Sequence, residues 1–202
     1  MRSETLEIRP HYEETAKKAE KSGWGHVQYL ETLGEIEADE RQSRRVQELL
    51  REAKLPKDKT IATLELERLP VTLRNQARAL CGGEFLTGAT NVCALGNPGT
   101  GKTHIVSAIG HELVRKGSSV LFTPVSSLVE RLLVAKRDLR LARELKRLDR
   151  FDCLILDDIG YVQQDREEME VLFTLLSERY ERRSVMITIW CSQNGTRSSR
   201  TR

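Results

Sequence analysis

Residues 96–103 read Gly96-Asn97-Pro98-Gly99-Thr100-Gly101-Lys102-Thr103. They lie between a short apolar run, Val92–Leu95, and a helical pattern marked by Ile105, Ile109 and Leu113. Strand, glycine loop and helix in that order is the context in which the spacing GxxxxGK[ST] cradles phosphate. Glycines let the backbone wrap around the phosphates, so that its N–H groups and the helix N-terminus point at them. Lys102 then reaches the β- and γ-phosphates as a point charge, and the Thr103 hydroxyl is placed to ligate Mg²⁺. His104 closes the stretch as a residue of the helix's first turn and is read as part of the loop's binding segment, not as a catalyst.

Outward from the loop, short apolar runs alternate with amphipathic helical patterns. The candidate strands are Val92–Leu95, Val120–Thr123, Cys153–Asp157 and Val185–Ile189. Leu128, Leu132 and Leu133 mark one further helix, and Met169, Leu172, Phe173, Leu176 and Tyr180 another. Gly117 is well placed to stop the helix that follows the loop. This alternation predicts an α/β fold, a P-loop NTPase built on a parallel sheet flanked by helices. Phe151–Asp158 is an apolar strand ending in two carboxylates. In open α/β sheets ligands sit at the carboxyl ends of strands, so these aspartates converge on the glycine loop. Asp157 is the candidate for the Mg²⁺ shell and Asp158 the candidate general base for an attacking water. The competing reading makes Asp158 a turn residue before Gly160.

The composition fits a chain that buries a core. The 202 residues are 39% hydrophobic and 31% charged, with 33 Lys+Arg against 30 Asp+Glu. No apolar run approaches membrane-spanning length, and residues 1–10 contain no export-type hydrophobic segment, which sets the expectation of a cytoplasmic protein without a membrane partner. Cys81, Cys93, Cys153 and Cys191 form no CxxC pair, and His11, His26 and His111 share no metal-binding spacing.

Residues 11–55 lack strand-like alternation; Val27, Leu30, Leu33, Ile36, Val46, Leu49, Leu50 and Ala53 recur at helical intervals, and Pro56 follows as a boundary. The expected organisation is a helical N-terminal region over 1–60, a nucleotide-binding core over 61–189 and an irregular basic tail over 190–202. Trp24 and Tyr29 read as anchors of a small core, with base stacking as the alternative.

The stretches GNPGTGKTH (96–104), LILDDIGY (154–161) and DREEMEVLFTLLSERYERRSVMIT (165–188) resemble the IstB/DnaC group of AAA+ ATPases, and most closely its IstB transposition helpers. Gly23-Trp24, Tyr29-Leu30, Glu40-Arg41 and Gly83-Glu84-Phe85-Leu86 are similar to the same pattern. The resemblance implies an AAA+ core that binds ATP and Mg²⁺, hydrolyses ATP with water, assembles on DNA, and works with the transposase of an insertion sequence, with homo-oligomerisation in the family's manner. Helicase loading in DNA replication, the DnaC role, is the alternative, and a non-catalytic nucleotide- or DNA-binding remnant is another. A P-loop small-molecule kinase would need an acceptor pocket and an arginine lid, neither of which is recognisable after Ile189.

The resemblance ends at Thr188. The family pattern continues with a sensor residue, usually Asn, then a segment like N-L-x-F-S-E-W, a fifth strand and a helical lid, whereas this chain reads Ile189-Trp190-Cys191-Ser192-Gln193-Asn194-Gly195. Read from the last base of a Thr188 codon ACA, the codons ATC TGG TGT TCT CAG AAT GGG yield N-L-V-F-S-E-W. The expectation is a frameshift after Thr188, an AAA+ sheet incomplete at its C-terminus, the first strand on an open edge in the order 5-1-4-3-2, weakened oligomer contacts, and hydrolysis impaired by loss of sensor, lid and arginine finger. The tail also carries Arg197, Arg200 and Arg202 and no acidic residue, so without it 30 cations face 30 anions and the net charge of +3 vanishes.

The case for a DNA partner therefore rests on arrangement. Lys136, Arg140, Arg143, Arg147 and Arg150 recur at steps of four, three, four and three, one basic face if the segment is a continuous helix. Such a stripe follows a phosphate backbone without reading bases. Asp138, Glu144 and Asp149 support the alternative of a solvated face. Arg41, Arg44, Arg45, Arg51 and Lys54 alternate with carboxylates and read as intrahelical pairs.

Overall fold

The computed structural model describes residues 12–159 and 165–190, Trp190 through its backbone alone. His11, Gly160, Tyr161 and residues 191–202, the expected irregular tail apart from Trp190, lie outside the described residues. The chain divides into two compact units, residues 1–48 and residues 49–202.

The described residues of the first unit are helical. Helix α1 spans Tyr12–Ser22, and α2 spans His26–Ala53, its last turn belonging to the second unit. Between them Gly23 adopts φ +64°, and the Trp24 N–H donates to the Ala19 carbonyl at 2.9 Å. Thr15 and Ala19 are buried, and the Lys18 ammonium sits 5.6 Å from the Trp24 ring centroid. The Tyr29 hydroxyl donates to the Tyr12 carbonyl at 3.3 Å. Trp24 and Tyr29 are thus engaged within the helical pair. Arg41 pairs with Glu37 at 3.3 Å and Arg44 with Glu40 at 3.4 Å, each one helical turn apart.

The second unit is built on four parallel strands, β1 (Val92–Gly96), β2 (Val120–Pro124), β3 (Cys153–Asp157) and β4 (Ser184–Trp190), in the order β1-β4-β3-β2. The register sets Leu95 opposite Ile189, and both Pro124 opposite Asp157 and Leu156 opposite Ile187 across β3. Every residue of β3 is buried, as a central strand covered on both faces requires. Its alternation sorts the core. Cys153 and Ile155 join Ile105, Ile109, Leu113 and Met186 under α5 (Lys102–Arg115), with Ala53, Leu55 and Ala77. Leu154 and Leu156 face the opposite cluster, Leu128, Leu132, Leu148, Val171, Leu172 and Leu175. These come from α6 (Val125–Arg137), α7 (Leu141–Leu148) and α8 (Arg166–Arg179).

Helix α5 ends as its glycine requires: Gly117 has φ +89°, its N–H donates to Val114, and the Ser118 N–H reaches back to Leu113. Helices α3 (Val71–Gly82) and α4 (Glu84–Thr87) are additions to the pattern read from sequence. On α8 the buried face is Val171, Leu172 and Leu175, while Met169 and Phe173 are exposed, as is Tyr180 just past its end. Arg179, one turn beyond, is only 1% exposed and donates to the carbonyls of Leu148, Phe151 and Ser184 at 2.9, 2.9 and 3.1 Å. Burial, partly offset by the nearby Cys153 and Asp149, lowers its pKa to about 10. This side chain ties α8 to the α7–β3 connection and to the start of β4.

Candidate nucleotide-binding site

The glycine loop leaves the carboxyl end of β1 and delivers the chain into α5. Gly99 and Gly101 take φ +76° and +86°, the left-handed region that favours glycine, and Gly101 caps α5 by accepting the Ile105 N–H at 2.9 Å. A Cβ at Gly96 would meet the Thr100 hydroxyl at 3.1 Å and the Lys102 side chain at 3.7 Å, so the loop closes tightly over this position. The Lys102 ammonium donates to the Gly96 and Asn97 carbonyls at 3.0 and 2.8 Å, and the Thr100 hydroxyl to Asn97 at 2.8 Å.

Strand order brings the loop and the aspartates together, because β4 alone separates β1 from β3. The Thr103 hydroxyl donates to Asp157 Oδ1 at 2.9 Å. From β4, the Thr188 hydroxyl donates to the same oxygen at 2.6 Å and accepts the Asp158 N–H at 2.8 Å. Asp157 is buried, whereas Asp158 is exposed with φ +60°. A carboxylate with hydroxyl partners beside a phosphate loop is a donor set suited to Mg²⁺. A cavity of about 330 Å³ is lined by Pro98, Gly99, Gly101, Lys102, Thr103, His104, Asp158 and Lys59. His104 stands in the first turn of α5, its Nε2 at 3.1 Å from the Thr63 hydroxyl and 3.2 Å from the Thr60 carbonyl.

Two features of this site escape the sequence reading. Thr188 enters it only as the point where a family pattern stops, yet its hydroxyl fixes Asp157. Lys59, Thr60 and Thr63 belong to no motif; turn-forming Pro56 and Asp58 are the sole local signal, and they do not say which loop the turn will meet.

The basic stripe needs correction. It is not one helix. Leu139 adopts φ +56° and is 95% exposed, which ends α6 at Arg137 and restarts the helix at Leu141. Lys136 leaves the set and pairs with Glu170 of α8 at 2.9 Å. Arg140, Arg143, Arg147 and Arg150 line a cleft of about 780 Å³ between α6 and α7, joined by Arg131 and Lys146. Arg140 pairs with Asp138 at 2.7 Å and Arg131 with Glu144 at 2.8 Å; Arg143, Lys146 and Arg150 have no ion-pair partner among the described residues.

The model of the IstB-like ATP binding protein family matches residues 7–194. The chain belongs to the IstB-like family. Among curated relatives, it is 41% identical over 182 residues to an ATP-binding protein named for an insertion sequence of Sinorhizobium fredii, covering 90% of this chain and 61% of that protein. It is 36% identical to the corresponding protein named for insertion sequence IS21 from Pseudomonas aeruginosa, over 88% of this chain and 67% of the relative. This IstB-like chain thus spans about two thirds or less of the length of these two relatives. Solved structures share its fold. A DnaA replication initiator bound to AMPPCP and single-stranded DNA aligns with a TM-score of 0.58 at 16% identity, over 67% of this chain and 43% of that one. The DnaC helicase loader gives 0.54 at 21% identity, over 61% and 72%. The shared fold is a parallel sheet flanked by helices, with the glycine loop following its first strand. Among the described residues no helix is long and apolar enough to cross a membrane.

Proposed function

We propose that this chain binds ATP with Mg²⁺ at the glycine loop and acts on DNA as the helper of the transposase from its own insertion sequence. The observation that carries the reading is the 2.9 Å hydrogen bond between Thr103 and Asp157, which brings the two side chains that would hold Mg²⁺ to one point beside Lys102. In the bound state the metal neutralises phosphate charge. Backbone N–H groups from Gly99 to His104, at the α5 N-terminus, receive the phosphates, and Lys102 exchanges its loop carbonyls for phosphate oxygens. Asp158, exposed at the cavity rim, positions the water and accepts its proton. The names of the relatives supply the insertion-sequence context. The cleft between α6 and α7 supplies cations for a DNA backbone.

ATP hydrolysis measured with and without DNA, against a Lys102→Ala control, tests this. DNA-stimulated turnover lost in the control supports a helper ATPase. Tight ATP binding without turnover would replace it by a nucleotide-gated DNA-binding module.

A further inference from the structure

The segment Pro56–Thr63 is a strap fastened along α5 by two histidines. His104 and His111 are two helical turns apart and therefore share a face of α5. His111, buried, holds the Pro56 carbonyl through Nε2 at 2.9 Å, and His104 holds the Thr60 carbonyl and the Thr63 hydroxyl at 3.2 and 3.1 Å. Between these fastenings the strap is closed on itself: the Thr63 hydroxyl donates to the Asp58 carbonyl at 2.7 Å and accepts the Thr60 N–H at 3.0 Å, and the Lys59 N–H donates to Pro56 at 3.3 Å. Lys59 is the strap residue that lines the cavity, which Lys102 and Asp158 also line. It has no ion-pair partner among the described residues, whereas Lys57, two residues earlier, is exposed and stands outside the cavity lining.

We propose that Lys59 is a second phosphate-binding cation of this site, positioned by the His104–His111 strap to contact the phosphates of the bound nucleotide in addition to the glycine loop's own lysine. The proposal rests on the ATP-binding reading above. A cation held at a cavity mouth without a carboxylate partner is available to a polyanion, and fastening its backbone at both ends reduces the ordering cost of the contact.

Calorimetric titration of the full chain with Mg·ATP and Mg·ADP tests it, using Lys59→Ala, Lys59→Arg, Lys57→Ala and Lys102→Ala. The expected result is a loss of roughly tenfold in ATP affinity for Lys59→Ala, with Lys59→Arg and Lys57→Ala close to the unsubstituted chain, and unchanged Tm without nucleotide. Wild-type affinity in Lys59→Ala, beside a clear loss in Lys102→Ala, would overturn the role of Lys59 and leave the ATP site standing. A matching fall in Tm without nucleotide would make the side chain structural and overturn it equally. No nucleotide binding by the unsubstituted chain would overturn both.

Discussion

The Thr188 hydroxyl lies 2.6 Å from Asp157 Oδ1, on the same oxygen that accepts from Thr103 at 2.9 Å. One residue from β4 and one from α5 thus fix a single buried carboxylate oxygen, and Thr188 also accepts the N–H of Asp158. Thr188→Val removes the donor and the acceptor while preserving shape. It is expected to cost about 1–3 kcal/mol in urea unfolding and to weaken Mg·ATP binding, with Thr188→Ser close to the parent. A valine variant of parental stability would show that these hydrogen bonds do not organise the site.

Gly110 predicts a reversal of the usual helix rule. In the middle of α5 a Gly→Ala exchange ordinarily gains about 1 kcal/mol of helix propensity. Here the added Cβ would stand 2.8 Å from Ile155 Cδ1 and 2.9 Å from Leu55 Cδ2, both in the packed core under α5. Gly110→Ala should therefore destabilise the chain by about 1 kcal/mol or more, as overpacking does, which equilibrium unfolding will show. Stabilisation would mean that α5 is less closely seated on the sheet.

The cysteines should separate by reactivity. Cys93 is exposed, Cys81 is half-buried with its pKa raised chiefly by burial, and Cys153 is buried with its pKa pushed up to about 12. In a Cys191→Ser background, a thiol reagent at pH 8 is expected to modify Cys93 first, Cys81 more slowly and Cys153 only on unfolding. The same burial carries a pH dependence. The unfolded thiol loses its proton near pH 9, while the folded one keeps it to about 12. The unfolded chain therefore binds fewer protons in that window, and stability falls as pH rises from about 9 to 12. Cys153→Ala should remove this component of the decline.

The α6–α7 cleft predicts a specific salt response. Replacing Arg140, Arg143 and Arg147 with Ala should flatten the slope of log affinity for duplex or single-stranded DNA against log salt, because fewer counterions are released on binding. Replacing Lys136, which is paired with Glu170, should leave the slope near its parental value. An unchanged slope in the triple variant would remove the cleft from the DNA contact.

Much of this was legible in the residues. The four strands appear within a residue or so of their observed ends, because a doubly covered sheet demands apolar runs that glycine and polar residues interrupt. The glycine loop and the pair Asp157 and Asp158 follow from chemistry tied to fixed spacing. The break at Leu139 was hidden, since periodic cations continue across it and a positive φ at a leucine has no compositional signal. Thr188 and Lys59 were hidden for another reason: their contacts span 31 residues from Thr188 to Asp157 and depend on strand order and on a turn meeting α5, which no local pattern encodes.

The most direct test of the central claim is equilibrium titration of Mg·ATP into the full chain and into Lys102→Ala. A charge-assisted phosphate contact by Lys102 predicts saturable, one-site binding to the parent and a loss of roughly 10- to 100-fold in the variant. Equal affinity of the two chains, or no binding to the parent, would contradict it.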